Sequence, residues 1–460
     1  MGLFRQKVYG TVQKNRYERL TKTQKWMVGI TYLVIPFSYI VSPYITAVLI
    51  MIQSWMLVKH QKELGNRVLI IFLNAVLFSC FTVLELRLYD WVIIGSILIV
   101  LVKKKMKIVV PVSVMAMMLF FFFNTFIHPV DSDTLLELER YLMSLLLVVL
   151  VVNLDFDLNK AYNQMIMLAL ASFYNAVIVY LLIGIGKIQQ LSSLIVSSNI
   201  FIYNQASNVN QVMMQSSETR MNGFFSDPNK YMVFCFAFLI ICDLLLKDGT
   251  GNMLRAIIMM ASVVSLSRTA LMVLVAYIVL KHMYKMVKQS PSIFIVEVSV
   301  ICVCLMVSLL IPNLISNFGN EIYDGAAKLL GRTKTLSINP SVGDDNRVIV
   351  WQLALESIKQ SVIFGHGWMS YESLLPYPTH NTLIELMLDG GLVTTVPYLL
   401  FFMPMYRMKK WYLTLSCYLI PVMLLGLADY RLWFLILGII LNRRSTIDSE
   451  ESLYLRPNYK

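Results

Sequence analysis

Apolar segments that resemble membrane helices recur along nearly the whole chain, with short charged loops between them. This pattern restricts the fold more than any other feature. Hydrophobic residues make up 57% of the 460 positions and charged residues only 14%, a balance that excludes an ordinary soluble protein. The sequence therefore predicts one all-α, multi-pass integral membrane domain over residues 1–460.

About fourteen transmembrane helices are predicted. Several of the apolar segments are shorter than the roughly 20 residues that span a hydrocarbon core, so their helices are expected to extend into flanking residues or to re-enter. The predicted spans are 27–42, 44–58, 68–84, 91–102, 108–127, 141–152, 162–185, 231–246, 253–266, 268–281, 292–313, 391–406, 412–427 and 432–442.

The distribution of basic residues predicts the orientation. With both termini inside, 27 of the 39 Lys and Arg residues fall in cytoplasmic segments, including the N-terminus 1–25 and the tail 443–460. Two long loops, 186–230 and 314–390, then lie outside. The net charge of +12 thus reports orientation and is no sign of nucleic-acid binding.

This orientation depends on a tight hairpin at Ser267-Arg268. A single helix over 253–281 would be roughly 43 Å long against a core of about 30 Å, and it would invert every later segment. We therefore predict two helices and a turn.

Cysteine, histidine and acidic pairs give little support for a metal site. The Asp131 and Asp133 pair is weak alone, and His60, His128 and His282 show no ligand spacing. The cysteines lie in apolar segments, which favours packing over disulfides or metal binding. They are Cys80, Cys235, Cys242, Cys302, Cys304 and Cys417.

The end of the first outer loop reads RMNGFFSDPNK, from Arg220 to Lys230. Asp227 and Pro228 are typical of a helix start, and Asn229 follows them. Arg220 is not needed for a cap, so it would place a guanidinium above the outer membrane surface.

Arg268 sits between two apolar runs. Two interpretations are open. An intramembrane arginine is a functional candidate by default, and its planar fork suits phosphate oxygens. Alternatively, its charge reaches to the interface at the hairpin turn.

Residues 343–367 of the large loop predict an amphipathic helix along the outer membrane surface. Its apolar positions recur at three- and four-residue steps: Val348, Trp351, Leu355 and Ile358. Arg347 falls in its first turn, where a basic residue beside a positive helix end makes an anionic ligand plausible. Gly365-His366-Gly367 is expected to end this helix.

The stretch LLPYPTHNTLIELMLDGG, residues 374–391, sets His380 and Asn381 before a further helix. Thr382 to Glu385 matches a capping box, and the helix leads to Gly390-Gly391. A neutral imidazole on an exposed rim can accept a hydroxyl proton, while a capping or solvated histidine is the alternative.

These motifs resemble, in their order, the O-antigen ligase and Wzy-type polysaccharide polymerase superfamily over about residues 160–410. The matching pieces are R-x-x-G-x-x-x-D-P-N at 220–229, SR at 267–268, N-R-x-x-x-W at 346–351, G-H-G at 365–367, and H-N at 380–381 with GG at 390.

The resemblance implies a metal-independent glycosyltransferase of the GT-C type that needs no cofactor. It would act on undecaprenyl-diphosphate-linked glycans at the outer face of the bacterial cytoplasmic membrane. Arg220, Arg268 and Arg347 would bind the diphosphate, and His380 would be the general base. The supporting residues would be Asp227, Asn229, Asn381 and Trp351.

Within this superfamily we favour a polymerase of capsule, O-antigen or exopolysaccharide repeats over a ligase, because a long chain of fourteen helices suits the more variable polymerases. Donor and acceptor lipids, a chain-length regulator and a flippase are the implied partners. A flippase is the rival function. Transporters commonly have internal repeats and short loops, and here no repeat is visible and one outer loop exceeds 70 residues.

Overall fold

The computed structural model describes residues 21–83, 86–103, 108–129, 132–182, 221–225, 228–246, 251–265, 268–289, 346–375, 379, 381–406, 410–416 and 430–454. These residues are mostly helical. The predicted span 292–313 and most of the loop 186–230 lie outside them, as does the loop 314–390 up to residue 345.

The first half of the described chain is a series of helices interrupted by one short antiparallel hairpin. Its elements are α1 Lys22–Val41, α2 Pro43–Val58, α3 Leu64–Leu77, β1 Thr82–Val83, β2 Leu86–Arg87, α4 Leu88–Lys103, α5 Val112–Ile127, α6 Ser132–Val152 and α7 Tyr162–Tyr180.

The second half continues with helices of very different length. They are α8 Pro228–Leu245, α9 Asn252–Val264, α10 Arg268–Gln289, α11 Asn346–Gln360, α12 Tyr371–Leu374, α13 Thr382–Phe401, α14 Met403–Tyr406 and α15 Arg431–Tyr454. Residues 411–416 are also helical.

The predicted helical segments overlap helices wherever they fall on described residues, but some of their ends differ. The span predicted over 108–127 is wrong at its start, because residues 108–111 are not helical and α5 begins at Val112. The span predicted over 68–84 is wrong at its end, because α3 stops at Leu77 and Phe78 leaves the helical region. Thr82 and Val83 then pair with Arg87 and Leu86. An apolar run does not reveal such a backbone break.

Within the described residues, two helical stretches are long and apolar enough to cross a membrane by themselves, namely Tyr162–Tyr180 and Thr382–Met405. Other apolar helices are 10–17 residues long. The number fourteen therefore stays a prediction.

The exterior is apolar in a way that suits lipid. Trp26, Tyr44, Val112 and Leu119 expose 70% or more of their surface. The interior is one large apolar cluster that extends from Val28 on α1 to Ile440 on α15. Large apolar side chains on the outside of a helical bundle are expected when acyl chains replace water as the solvent.

The predicted hairpin between α9 and α10 is confirmed. Arg255 lies near the start of α9 and Lys281 lies in the second half of α10, yet both side chains bind the carboxylate of Asp243 at 2.6 and 2.8 Å. The two helices therefore run in opposite directions. A continuous helix would separate these residues by about 39 Å.

Polar contacts gather at two ends of the bundle in the order that the predicted alternation requires. One end, called here the inner end, joins Glu63 to Lys160 at 3.0 Å and Asp243 to Lys281. The hydrogen bond to Glu63 raises the pKa of the Lys160 ammonium.

The other end, called here the outer end, holds different residues. Arg431 binds Asp90 at 2.8 Å, and the Tyr430 hydroxyl donates to the carbonyl of Lys230 at 3.2 Å. Each pair joins residues predicted to share one side. Which end faces the cytoplasm stays a prediction.

Cys80, Cys235 and Cys242 are buried and free, so packing is confirmed for these three. Cys302, Cys304 and Cys417 lie outside the described residues.

Candidate functional site

Helix α13 is bent where its two glycines lie. Gly391 has φ 55° and ψ −153°, so residues 382–390 and 392–401 form two helical segments. A bend of this kind frees backbone groups on both sides of it. The groups freed here bind the loop that follows α11.

Four backbone hydrogen bonds connect this loop to the bend. The amides of His366 and Gly367 donate to the carbonyls of Leu388 and Asp389, both at 2.8 Å. In the opposite direction, the amides of 392 and 393 donate to the carbonyls of 362 and 363 at 2.9 and 3.1 Å. We call residues 361–370 together with 388–393 the glycine joint.

Glycine is required at two positions of this joint. Gly365 has φ +68°, and a Cβ there would lie 2.6 Å from the Asp389 carbonyl. Gly391 has φ +55°, and its Cβ would lie 2.5 Å from the carbonyl oxygen of Ile363. The glycine motifs at 365–367 and 390–391 therefore contact each other. Their backbones can approach this closely because glycine has no side chain.

The prediction that Gly365-His366-Gly367 ends the amphipathic helix is wrong. That helix, α11, begins at Asn346 and ends at Gln360. The glycines lie beyond it and dock on α13. A glycine after an apolar periodic stretch is typical of a helix C-terminus. The sequence does not show that Gly365 is needed because the backbone of α13 lies against it.

Buried side chains hold the glycine joint at the outer end. The carboxylate of Asp389 accepts hydrogen bonds from the Ser370 amide at 3.1 Å and hydroxyl at 2.8 Å. The Trp368 indole donates to the Thr125 hydroxyl on α5 at 2.9 Å. The loop is thus tied to both α5 and α13.

Asp389 and Ser370 were missed by the sequence reasoning. An acid inside an apolar segment, directly before Gly390-Gly391, could have singled out Asp389, because ionisable residues in membrane helices are functional candidates by default. Ser370 carried no such signal.

The backbone on either side of His380 is anchored, although His380 itself lies outside the described residues. Thr379 is fully buried, and its hydroxyl donates to the carboxylate of Glu385 at 3.1 Å. The Asn381 side chain accepts hydrogen bonds from the amides of Leu383 and Ile384 at 3.0 and 3.2 Å.

These contacts correct the predicted capping box. The N-cap of α13 is Asn381 instead of Thr382, and Glu385 binds Thr379. Asparagine is among the strongest N-cap residues because its short carbonyl reaches the free amides of the first turn. The side chain next to His380 therefore fixes the start of α13.

Trp351 connects α11 to this segment. Its indole N–H donates to the carbonyl of Thr379 at 2.7 Å. Arg347 lies one helical turn earlier on the same helix, about 6 Å along the axis from Trp351. A small apolar cluster of Val350, Ala354, Ile358, Leu375 and Leu388 packs the same two helices together.

Arg268 and Asn229 lie at the same end of the bundle. Helices α8 and α10 run parallel, because Phe236 contacts Tyr277 at 5.6 Å while Asp243 binds Lys281. Arg268 is about 20 Å before Lys281, and Asn229 is about 21 Å before Asp243, along their helix axes. Both are therefore far from the inner end.

The remaining predicted site residues are only partly tested. Arg268 is the first residue of α10 and Arg347 lies in the first turn of α11, and their side chains lie outside the described part of the structure. Arg220 and Asp227 lie outside the described residues, although α8 begins at Pro228 as expected. The convergence of three arginines on His380 stays a prediction. Among the described residues, no three His, Cys, Asp or Glu side chains are grouped to hold a metal ion.

Part of the chain is similar to a known protein family. Residues 254–399 match the sequence model of a family described as O-antigen ligase. No curated protein matches the chain. The matched segment begins in α9 and ends within α13, so it contains the hairpin, α11, the glycine joint and the anchored residues 379 and 381.

The resemblance predicted from the motifs is thereby confirmed for this part of the chain. The match and the apolar helices together indicate a membrane protein. Residues 254–399, about a third of the chain, are therefore similar to the O-antigen ligase family.

Proposed function

We propose that the protein is a polysaccharide polymerase that joins undecaprenyl-diphosphate-linked repeat units at the outer face of the bacterial cytoplasmic membrane. It would transfer the growing glycan from its lipid diphosphate to a sugar hydroxyl of a new lipid-linked repeat. A GT-C-type mechanism without metal or cofactor is part of the proposal. The family match supports glycan transfer in general.

One observation carries the catalytic assignment. Residue 380 stands between a buried threonine and a helix N-cap, and the Trp351 indole ties this segment to the first turn of α11. A general base must be held within about 0.5 Å of its productive position by rigid neighbours. The anchored flanks, residues 379 and 381, support the assignment of His380.

The chemistry follows from the residues in these positions. The His380 imidazole accepts the proton of an acceptor hydroxyl while that oxygen attacks the anomeric carbon of the donor. The bond between this carbon and the diphosphate oxygen breaks. Arg220, Arg268 and Arg347 stabilise the negative charge on the departing lipid diphosphate. Asp227, Asn229, Asn381 and Trp351 hold these groups in place.

A ligase that transfers finished polymer to a different acceptor uses the same chemistry, so the same geometry supports it. A flippase would need no base and no bond cleavage. The three functions predict different glycans in a strain that lacks the protein.

The test is the glycan profile of a deletion strain complemented with wild-type protein, His380→Ala or His60→Ala. Single surface repeats in the deletion strain support a polymerase, long polymer retained on lipid supports a ligase, and repeats trapped inside support a flippase. His380→Ala should behave like the deletion.

The exposed His60, at the inner end, is the matched control and should restore full polymer. Full polymer length from stable, inserted His380→Ala protein would remove the base from the mechanism.

A further inference from the structure

Three consecutive apolar side chains are exposed in the loop that follows α11. Val362, Ile363 and Phe364 expose 42%, 56% and 44% of their surface. They belong to the glycine joint, at the outer end of the bundle. Exposed apolar residues that adjoin one another mark places where a protein meets another apolar surface. This loop therefore has a partner to be identified.

The exposed surface continues onto the two neighbouring helices. The amide of Leu392 on α13 donates to the Val362 carbonyl at 2.9 Å. On the other side, the ring of His128, just after α5, donates to the Phe364 carbonyl at 3.0 Å. The residues next to these contacts are also apolar and exposed. We call the whole set the apolar rim: Phe126, Ile127, Val362, Ile363, Phe364 and Leu392.

The backbone of this loop is paired asymmetrically. The four carbonyl groups of residues 361–364 each accept a hydrogen bond. The donors are the amides of Gly365, Leu392 and Val393, at 3.0, 2.9 and 3.1 Å, and the His128 ring. By contrast, the amides of residues 362–364 have no partner in the described part of the chain.

This asymmetry suits the boundary region of a lipid bilayer. Lipid ester oxygens accept hydrogen bonds and cannot donate them. A loop beside them needs its carbonyls paired by the protein, but it can leave its amides to the lipid. Water both donates and accepts, so a loop in water would not need four paired carbonyls. The partner that fits is therefore lipid.

The length of α13 indicates the same depth. Residues 392–405 rise at most about 21 Å, which is about 9 Å less than a hydrocarbon core of about 30 Å. Lys410, shortly after them, donates to the Asp243 carbonyl at the inner end. The apolar stretch Thr382–Met405 can therefore cross a membrane only if residues before the bend also lie in the bilayer. Leu392 and the loop bonded to it then lie below the membrane surface.

We propose that the apolar rim is a membrane-contact surface that enters the lipid leaflet at the outer end of the bundle. The side chains of residues 362–364 lie among acyl chains, and their amides lie at the level of the lipid ester oxygens. The sequence predicts that the loop 314–390 lies outside, and residues 361–364 of that loop return into the bilayer. This contact needs no substrate, so it is independent of the proposed glycan transfer.

The test places an environment-sensitive fluorophore on Ile363→Cys in the full-length protein, in nanodiscs of phosphatidylcholine and phosphatidylglycerol. Two quenchers are compared, iodide in the water and a lipid with a nitroxide near the start of its acyl chain. Val396→Cys, at a 45% exposed position one turn after Leu392, is the control for lipid. Gln352→Cys, at an exposed position on α11, is the control for water. Unsubstituted protein gives the background.

The probe at residue 363 should resemble the lipid control. Nitroxide quenching should be within about twofold of that at residue 396, and iodide quenching about threefold weaker than at residue 352, because an inserted side chain is shielded from water. Iodide quenching as strong as at residue 352 would overturn the membrane contact and leave the apolar rim for another protein or a glycan. Nitroxide quenching no stronger than at residue 352 would overturn it as well.

Hydrogen exchange provides a second readout that needs no substitution. In water, the unpartnered amides of residues 362–364 would exchange at the rate of an unfolded chain. In nanodiscs they should exchange at least about tenfold more slowly, because the bilayer excludes water from them. Mass spectrometry with residue-level fragmentation measures these three amides in the unsubstituted protein. Exchange at the unfolded-chain rate would overturn the membrane contact.

Discussion

The Trp351 side chain holds the backbone of the segment that precedes α13. Its indole spans from α11 to the Thr379 carbonyl, next to residue 380. Thr379 in turn binds Glu385, and Asn381 caps α13. These three contacts hold the residues on both sides of residue 380. If His380 is the base as proposed, loss of any of them should slow catalysis.

Trp351→Phe is expected to keep the fold and to slow glycan transfer about tenfold. The substitution preserves an aromatic ring but removes the hydrogen bond to Thr379, which releases one flank of residue 380. The rate should be measured as polymer formed per unit of protein in membranes.

The matched control is Trp55→Phe on α2, where the indole is 58% exposed on the outside of the bundle. A transfer rate that is normal in both variants would mean that the Trp351 contact does not position the site.

At the scale of elements, the glycine joint connects α11 to α13 without large side chains. Four backbone hydrogen bonds and three glycines with positive φ, Gly365, Gly367 and Gly391, hold the loop against the bend. This contact brings α11, with Arg347 in its first turn, beside the start of α13. The two helices are thus fixed relative to each other by backbone, which tolerates less change than side-chain packing.

Gly365→Ala and Gly391→Ala should each destabilise the protein by more than 1 kcal/mol and lower transfer activity. Both residues occupy left-handed backbone conformations, and the added carbon would lie within 2.6 Å of backbone atoms. Thermal unfolding in detergent measures the first effect.

Gly29→Ala on α1 and Gly95→Ala on α4 provide the contrast. An added Cβ meets nothing within 4 Å at either glycine, so alanine should be neutral or stabilising by about 0.5–1 kcal/mol. Equal effects at all four glycines would show that the close approach is unimportant.

At the scale of the whole molecule, Asp243 connects several helices at the inner end of the bundle. Its carboxylate binds Arg255, Lys281, Tyr277 and the Tyr412 hydroxyl, so it connects α8, α9, α10 and residues 411–416. The Lys410 ammonium donates to its carbonyl at 3.3 Å. One acid therefore holds together helices that the sequence separates by up to 169 positions.

Asp243→Asn should destabilise the protein by about 3 kcal/mol, because it leaves a buried arginine and a lysine without their carboxylate. Glu63→Gln removes a partly exposed partner of Lys160 and should cost less than about 1 kcal/mol. Denaturant unfolding of both purified variants measures the difference. Equal stability losses would contradict the central role of Asp243.

The orientation of the bundle can be tested by cysteine labelling in intact cells. Gln352→Cys on α11 and Lys288→Cys on α10 are exposed and lie at predicted opposite sides. A membrane-impermeant maleimide should label the first before lysis and the second only after lysis. Unsubstituted protein gives the background, and the reverse pattern would invert the predicted topology.

Much of the helical architecture could be predicted from hydrophobic periodicity and charge. A bilayer sets the length and polarity of each helix, and both are properties of a short segment of sequence. The hairpin at Arg268 and the start of α8 at Pro228 were of this kind. The end of α3, the N-cap at Asn381 and the partner of the glycine motifs were not. Each depends on a second segment that a single window of sequence does not contain.

The sequence alone determined that this chain is helical and strongly apolar, and that residues 254–399 are similar to O-antigen ligases, because those properties arise from composition and from short ordered motifs. Only the tertiary structure decided that Gly365 and Gly391 meet, that Trp351 anchors residue 379, and that Asp243 receives two cations. These are contacts between backbones or charges that are distant in the chain, and their energies depend on distances that only folding sets.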